Sequence, residues 1–146
     1  MTNRLASLAL ISGLLACGEP TLIFPGGALD GEVATAPDNW AFVEDVSTIQ
    51  LQTNPVDPYS VNIWAVGLDD KLYVHAGANR ATWIENMDSN PNVRVRVEEK
   101  VYALSATRVD DPAEFATFAD AYEAKYGSRP REEDVEVAHL YRLMPR

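Results

Sequence analysis

Hydrophobic residues are spaced in several different ways along this 146-residue chain. Behind Arg4, Leu5 to Leu15 form an uncharged apolar run. Gly18 to Asn39 then show no period and are rich in glycine, proline and acids, with Pro25-Gly26-Gly27 near the centre. From Trp40 onward a period of two takes over, the spacing of half-buried strands. Ser47 to Thr53 put Ile49 and Leu51 on one face, and Tyr59 to Val66 set Tyr59, Val61, Ile63 and Ala65 against Ser60, Asn62, Trp64 and Val66. Gly67 to Asp70 read as a hairpin loop, and Lys71 to His75 as the returning strand. Val93, Val95 and Val97 alternate with Arg94, Arg96 and Glu98; Val101 to Val109 and Val137 to Met144 supply two more strands.

Helical spacing breaks in twice. Arg80 to Ser89 carry Trp83 and Met87 one turn apart, and Asn90-Pro91-Asn92 stop the helix. Asp111-Pro112-Ala113-Glu114 combine a capping carboxylate, a first-turn proline and an acid that favours the dipole. Phe115, Phe118, Ala119, Tyr122 and Tyr126 then share a stripe that ends at Gly127. Strand hairpins interrupted by helices predict an α+β fold: a small barrel of antiparallel strands with two or three covering helices.

The apolar run at the amino end is too short to span a bilayer and ends in the small residue Ala16 before Cys17, the order of an export signal. Leu14-Leu15-Ala16-Cys17 resembles the lipobox of bacterial lipoproteins, which implies cleavage before Cys17 and lipid on its thiol. The expected organisation is a signal peptide over residues 1–16, a lipidated tether over 17–37 and a barrel domain over 38–146. Within the tether, Leu22-Ile23-Phe24 and Leu29 are apolar enough to dock on the domain instead. The expected location is the cell envelope, on the extracytoplasmic side of a membrane.

Charge narrows the partners. The chain carries 12 Lys+Arg against 22 Asp+Glu, and removing the leader with Arg4 makes the excess one greater. Such a chain repels nucleic-acid phosphate, so no nucleic acid is expected. With Cys17 lipidated, no thiol remains for a disulfide or a thiolate metal site. His75 and His139, the only histidines, show no zinc spacing.

Leu72-Tyr73-Val74-His75-Ala76-Gly77, followed by Arg80, Trp83, Asn86-Met87 and Asn90-Pro91-Asn92-Val93, resembles the split β-barrel flavin-binding superfamily, which includes pyridoxamine-phosphate-oxidase-like and deazaflavin-dependent nitroreductase-like proteins. The resemblance runs from about Asp45 to Arg146, and Tyr141 to Arg146 are similar to the superfamily's last strand. It implies a split barrel binding FMN or a related flavin, a homodimer with the cofactor between subunits, and oxidoreductase chemistry on a small substrate. Arg80 and Asn79, with the free amides of the helix start, would meet the phosphate. Trp83 would wall the ring, and Asn62, Trp64 and His75 would face the same cleft. Each has a plainer reading: Arg80 as a surface ion pair, Trp64 and Trp83 as core, His75 as a hydrogen-bonded strand residue. Where many members carry a second basic residue after the arginine, Ala81 and Thr82 stand here. The competing expectation is a noncatalytic binding or envelope-associated barrel without a cofactor. No catalytic set is legible.

Overall fold

The structure is a computed structural model and describes residues 24–78 and 80–146. Eight strands and two helices follow in the order β1 (Glu32–Ala34), β2 (Ile49–Thr53), β3 (Tyr59–Ile63), β4 (Ala65–Leu68), β5 (Lys71–Ala76), α1 (Thr82–Ser89), β6 (Asn92–Val97), β7 (Lys100–Arg108), α2 (Pro112–Tyr126) and β8 (His139–Pro145). A 3₁₀ turn over Ala41–Asp45 and the short β1 are elements that the periodicity did not announce.

The sheet runs β3-β2-β6-β7-β8-β5-β4, every neighbouring pair antiparallel, with β1 added parallel to β7. β3 and β4 hold opposite ends of that order, yet only Trp64 separates them in the chain. A single alternating stretch therefore pairs with β2 through its first half and with β5 through its second. The corner at Trp64 curls the sheet on itself, which gives the expected α+β split barrel.

Period two decides which side chains enter the barrel. Ile49, Leu51, Leu72, Val74, Val93, Val95, Leu104 and Leu143 fill it, with Trp40 and, from α1, Trp83, Ile84 and Met87. The alternate face of β4, β5 and β8 presents Val66, Tyr73 and Leu140 to α2, which buries Phe115, Phe118 and Ala119 there. The α2 caps are those expected: Asp111 Oδ1 accepts from the Ala113 amide at 2.9 Å, and Gly127 closes the helix with φ 79°. Lys125 ties the helix down, Nζ donating to the carbonyls of Val43 and Ala65, each at 2.7 Å. At Gly67 a Cβ would lie 2.2 Å from the Trp40 carbonyl oxygen, so only glycine lets β4 pass that closely.

The stretch before the barrel docks on it. Gly26 exchanges backbone hydrogen bonds with Ser60, and the amide of the buried Leu29 donates to Gln52 Oε1 at 2.8 Å. Arg94 Nη1 reaches the Leu29 carbonyl at 3.4 Å, and β1 follows in register with Lys100 to Tyr102. The segment forms a strap that pairs with the edge of β3, crosses β2 and β6 at Gln52 and Arg94, and joins the edge of β7.

Candidate functional site

The residues nominated from sequence occupy three places on the barrel. The first surrounds α1. Arg80 precedes the helix as expected, and its guanidinium turns onto that helix, 3.2 Å from Asp88 and 3.7 Å from Glu85. The other oxygen of Asp88 accepts from the Tyr141 hydroxyl at 2.7 Å. Burial pushes the Tyr141 phenol up to about 12, and the bond to Asp88 adds to the rise. Trp83 is 7% exposed and packs edge-on to Tyr141, inside the core. His139 is buried nearby and held below the usual imidazole range by burial, then by the charges of Arg108 and Arg80.

The second place lies under α2. His75 points from β5 into a ring of aromatics, with centroids 5.6 Å from Phe118, 6.0 Å from Tyr122 and 6.2 Å from Phe115. Its Nε2 is buried and has no hydrogen-bond partner among the described residues. Burial drives its pKa down to about 4, with the charge of His139 a lesser cause, so the ring is neutral near pH 7. Trp64, at the corner, stacks on Tyr126 at 4.4 Å with planes 7° apart and stays half exposed. Tyr122 touches both rings, so Trp64 and His75 share one aromatic cluster.

The third is a groove of about 260 Å³ on the outer face of β2, β3 and β6, lined by Val46, Thr48, Gln50, Asn62, Arg96 and Glu98. Register builds it: Gln50 pairs with Asn62 on one side and with Arg96 on the other. Arg96 Nε donates to the Glu98 carbonyl at 2.9 Å, and Gln50 Oε1 is buried with no partner among the described residues. Asn62 is the only nominated residue here. Gln50 and Arg96 were missed, although the alternation of Arg94 and Arg96 with three valines already placed two guanidiniums on one face of β6. Cys17 and Asn79 lie outside the described residues. Among those described, no group of side chains suits a metal ion, and no helix is long and apolar enough to cross a membrane.

This architecture is that of the split β-barrel class, and solved structures share it. A provisionally named pyridoxamine 5′-phosphate oxidase from Listeria innocua superposes with a TM-score of 0.57 at 15% identity, covering 72% of this chain and 88% of that one. A NimC/NimA family protein from Clostridium acetobutylicum gives 0.55 at 17%, over 68% and 75% of the two chains. An FAD-binding protein from Mesorhizobium loti gives 0.52 at 17%, over 71% and 84%. At such identities the likeness is one of fold. The chain itself belongs to the family described as "Uncharacterized protein conserved in bacteria (DUF2255)", which matches residues 42–140. No curated protein matches the chain.

Proposed function

We propose that the protein is an envelope lipoprotein, anchored through lipid on Cys17, whose barrel binds FMN or a related flavin as a homodimer. The observation that carries the cofactor reading is the groove in which Arg96 converges with the amides of Gln50 and Asn62. A flavin phosphate needs a fixed cation, and the polar edges of the cofactor need donors and acceptors beside it. Arg96 would meet the phosphate, while Gln50 and Asn62 would orient the polar chain behind it. A bound flavin would supply electron transfer at its ring. Its occurrence in a protein of the same fold, the FAD-binding protein from Mesorhizobium loti, supports the reading.

Arg80 fits this role less well, because a phosphate there would displace Asp88 and Glu85. Exposed ion pairs are worth only about 0.2–1 kcal/mol, so the displacement is feasible and Arg80 belongs in the test. Its pairing, together with the burial of Trp83, favours a second reading: a binding barrel with no cofactor.

Flavin fluorescence decides between them. The full chain titrated with FMN should show saturable binding. Arg96→Ala should weaken it about ten- to hundredfold, the worth of one charge-assisted contact, and leave riboflavin, which lacks the phosphate, unchanged. Arg80→Ala should change neither. The reverse pattern for the two arginines would move the phosphate to α1. Absence of FMN binding at tens of micromolar, about the range a working cofactor site exceeds, would leave the cofactor-free barrel.

A further inference from the structure

A second cleft has the opposite chemistry. It opens beside the β6–β7 turn, measures about 640 Å³, and has Phe42, Val97 and Tyr102 on its walls and Glu32, Glu98 and Glu99 around them. The three carboxylates are exposed, and none has an ion-pair partner among the described residues. Lys100 also lines the cleft, and Arg96 shares an adjoining pocket with Glu32 and Glu99.

Their placement is built. Gly31 adopts φ +152°, where a Cβ would come within 2.8 Å of the Glu99 carbonyl, and the next amide, that of Glu32, donates to that carbonyl at 2.9 Å. Strap and hairpin are thus locked together with like charges side by side. The hairpin tip points the same way. Glu98 holds φ 54°, a left-handed conformation that costs a glutamate more than the asparagine or glycine usual in such turns. The tip keeps its charge against its own turn preference.

Tyr102, on the wall of the cleft, is only 6% exposed. Burial raises its pKa, and the charges of Glu98 and Glu32 raise it further, which places both carboxylates within electrostatic reach of the phenol. Phe42 is 41% exposed and stacks on the buried Trp40, so its ring is a fixed apolar face.

We infer that this cleft binds a small organic cation, an amine or quaternary ammonium with an apolar body. The aromatic faces take the body and the positive edge of the cation, and the carboxylates relieve their mutual repulsion on it. The hydroxyl of Tyr102 accepts from an N–H where one is present. Glu98 lines both this cleft and the groove on the outer face, so the two sites adjoin across the β6–β7 turn.

The probe is benzyltrimethylammonium, titrated calorimetrically into the full chain in nonionic micelles, with empty micelles as the blank. Saturable binding at about 1 mM or tighter is expected, weakened by added salt. Glu32→Gln combined with Glu98→Gln should weaken it at least about tenfold, the loss of two facing charges. Phe42→Leu, which keeps the bulk and removes the ring face, should weaken it severalfold and serves if the double variant misfolds. Benzyl alcohol, the same ring without the charge, should show no saturable binding. Absence of probe binding, equal affinity for benzyl alcohol, or an affinity unmoved in both variants would overturn the assignment.

Discussion

His75 shows how much one side chain depends on what covers it. From sequence it is one polar residue on a strand, as ready to face a ligand as to face a helix. The structure turns it under α2, where its ring is neutral near pH 7 and Nε2 has no partner among the described residues. Its folded pKa of about 4 lies below the ordinary value of 6.5, so between those values the unfolded chain binds more protons than the folded one. The stability tied to neutral His75 is therefore complete above about pH 6.5 and is lost as the pH falls toward 4; it amounts to at most about 3 kcal/mol, less what solvent screening removes. Urea unfolding at pH 7.5 and pH 5 measures this. His75→Phe, which keeps a flat ring in the aromatic cluster, should lose about 2 kcal/mol less than wild type over that interval. His139 also titrates low and contributes to both proteins, so the difference between them is the readable quantity. Equal losses would place the titrating group elsewhere.

At the scale of elements, helix α2 was the most legible part of the chain. Its cap, its stripe and its glycine stop are local chemistry, and each appears where the residues put it. The stripe divides in a way that periodicity does not show: Phe115 and Phe118 are buried, whereas Tyr122 and Tyr126 lie at the margin beside Trp64. Phe118 is 1% exposed, and Phe118→Ala should cost about 3–5 kcal/mol, the range for emptying a buried phenylalanine site. Urea unfolding of the full chain reads it, and a change within about 0.5 kcal/mol would mean that the face is not buried. The alternating strands were equally legible, apart from one break. Tyr59 to Val66 reads as one strand, and only the closure of the sheet divides it at Trp64. What stayed hidden depends on long-range pairing. The 3₁₀ turn is held by Trp40 and Lys125, β1 by β7, and the groove by cross-strand register, and residue types cannot express any of these alone. The same limit applies to the nominated site, since a motif gives the order of Arg80, Trp83 and His75 but not which side of the sheet each one takes.

For the whole molecule, the strap converts a statement about sequence into one about distance. The stretch behind Cys17 was expected to act as a tether or to dock, and from Gly26 it docks: through Ser60, then Leu29 on Gln52 and Arg94, then β1 on β7. Under the proposed anchoring, only the six residues 18–23 lie between Cys17 and Phe24, where the described chain begins, seven chain steps that span at most about 25 Å when fully extended. The barrel is then held close to the bilayer rather than ranging over it, with the strap setting which end lies nearer. Under the same proposal Cys17 is the hold on the membrane, and the acid-rich sequence gives little attraction to anionic head groups. Cys17→Ser should therefore move the protein from the membrane fraction to the soluble one, or halt its processing, with the fold of the barrel unchanged. Expression with the leader in a bacterial host, labelling with an alkyne fatty acid and fractionation measure both consequences. Wild-type protein that is unlabelled and soluble would remove the anchor. Membrane-bound Cys17→Ser would show that the barrel has a second hold on the bilayer.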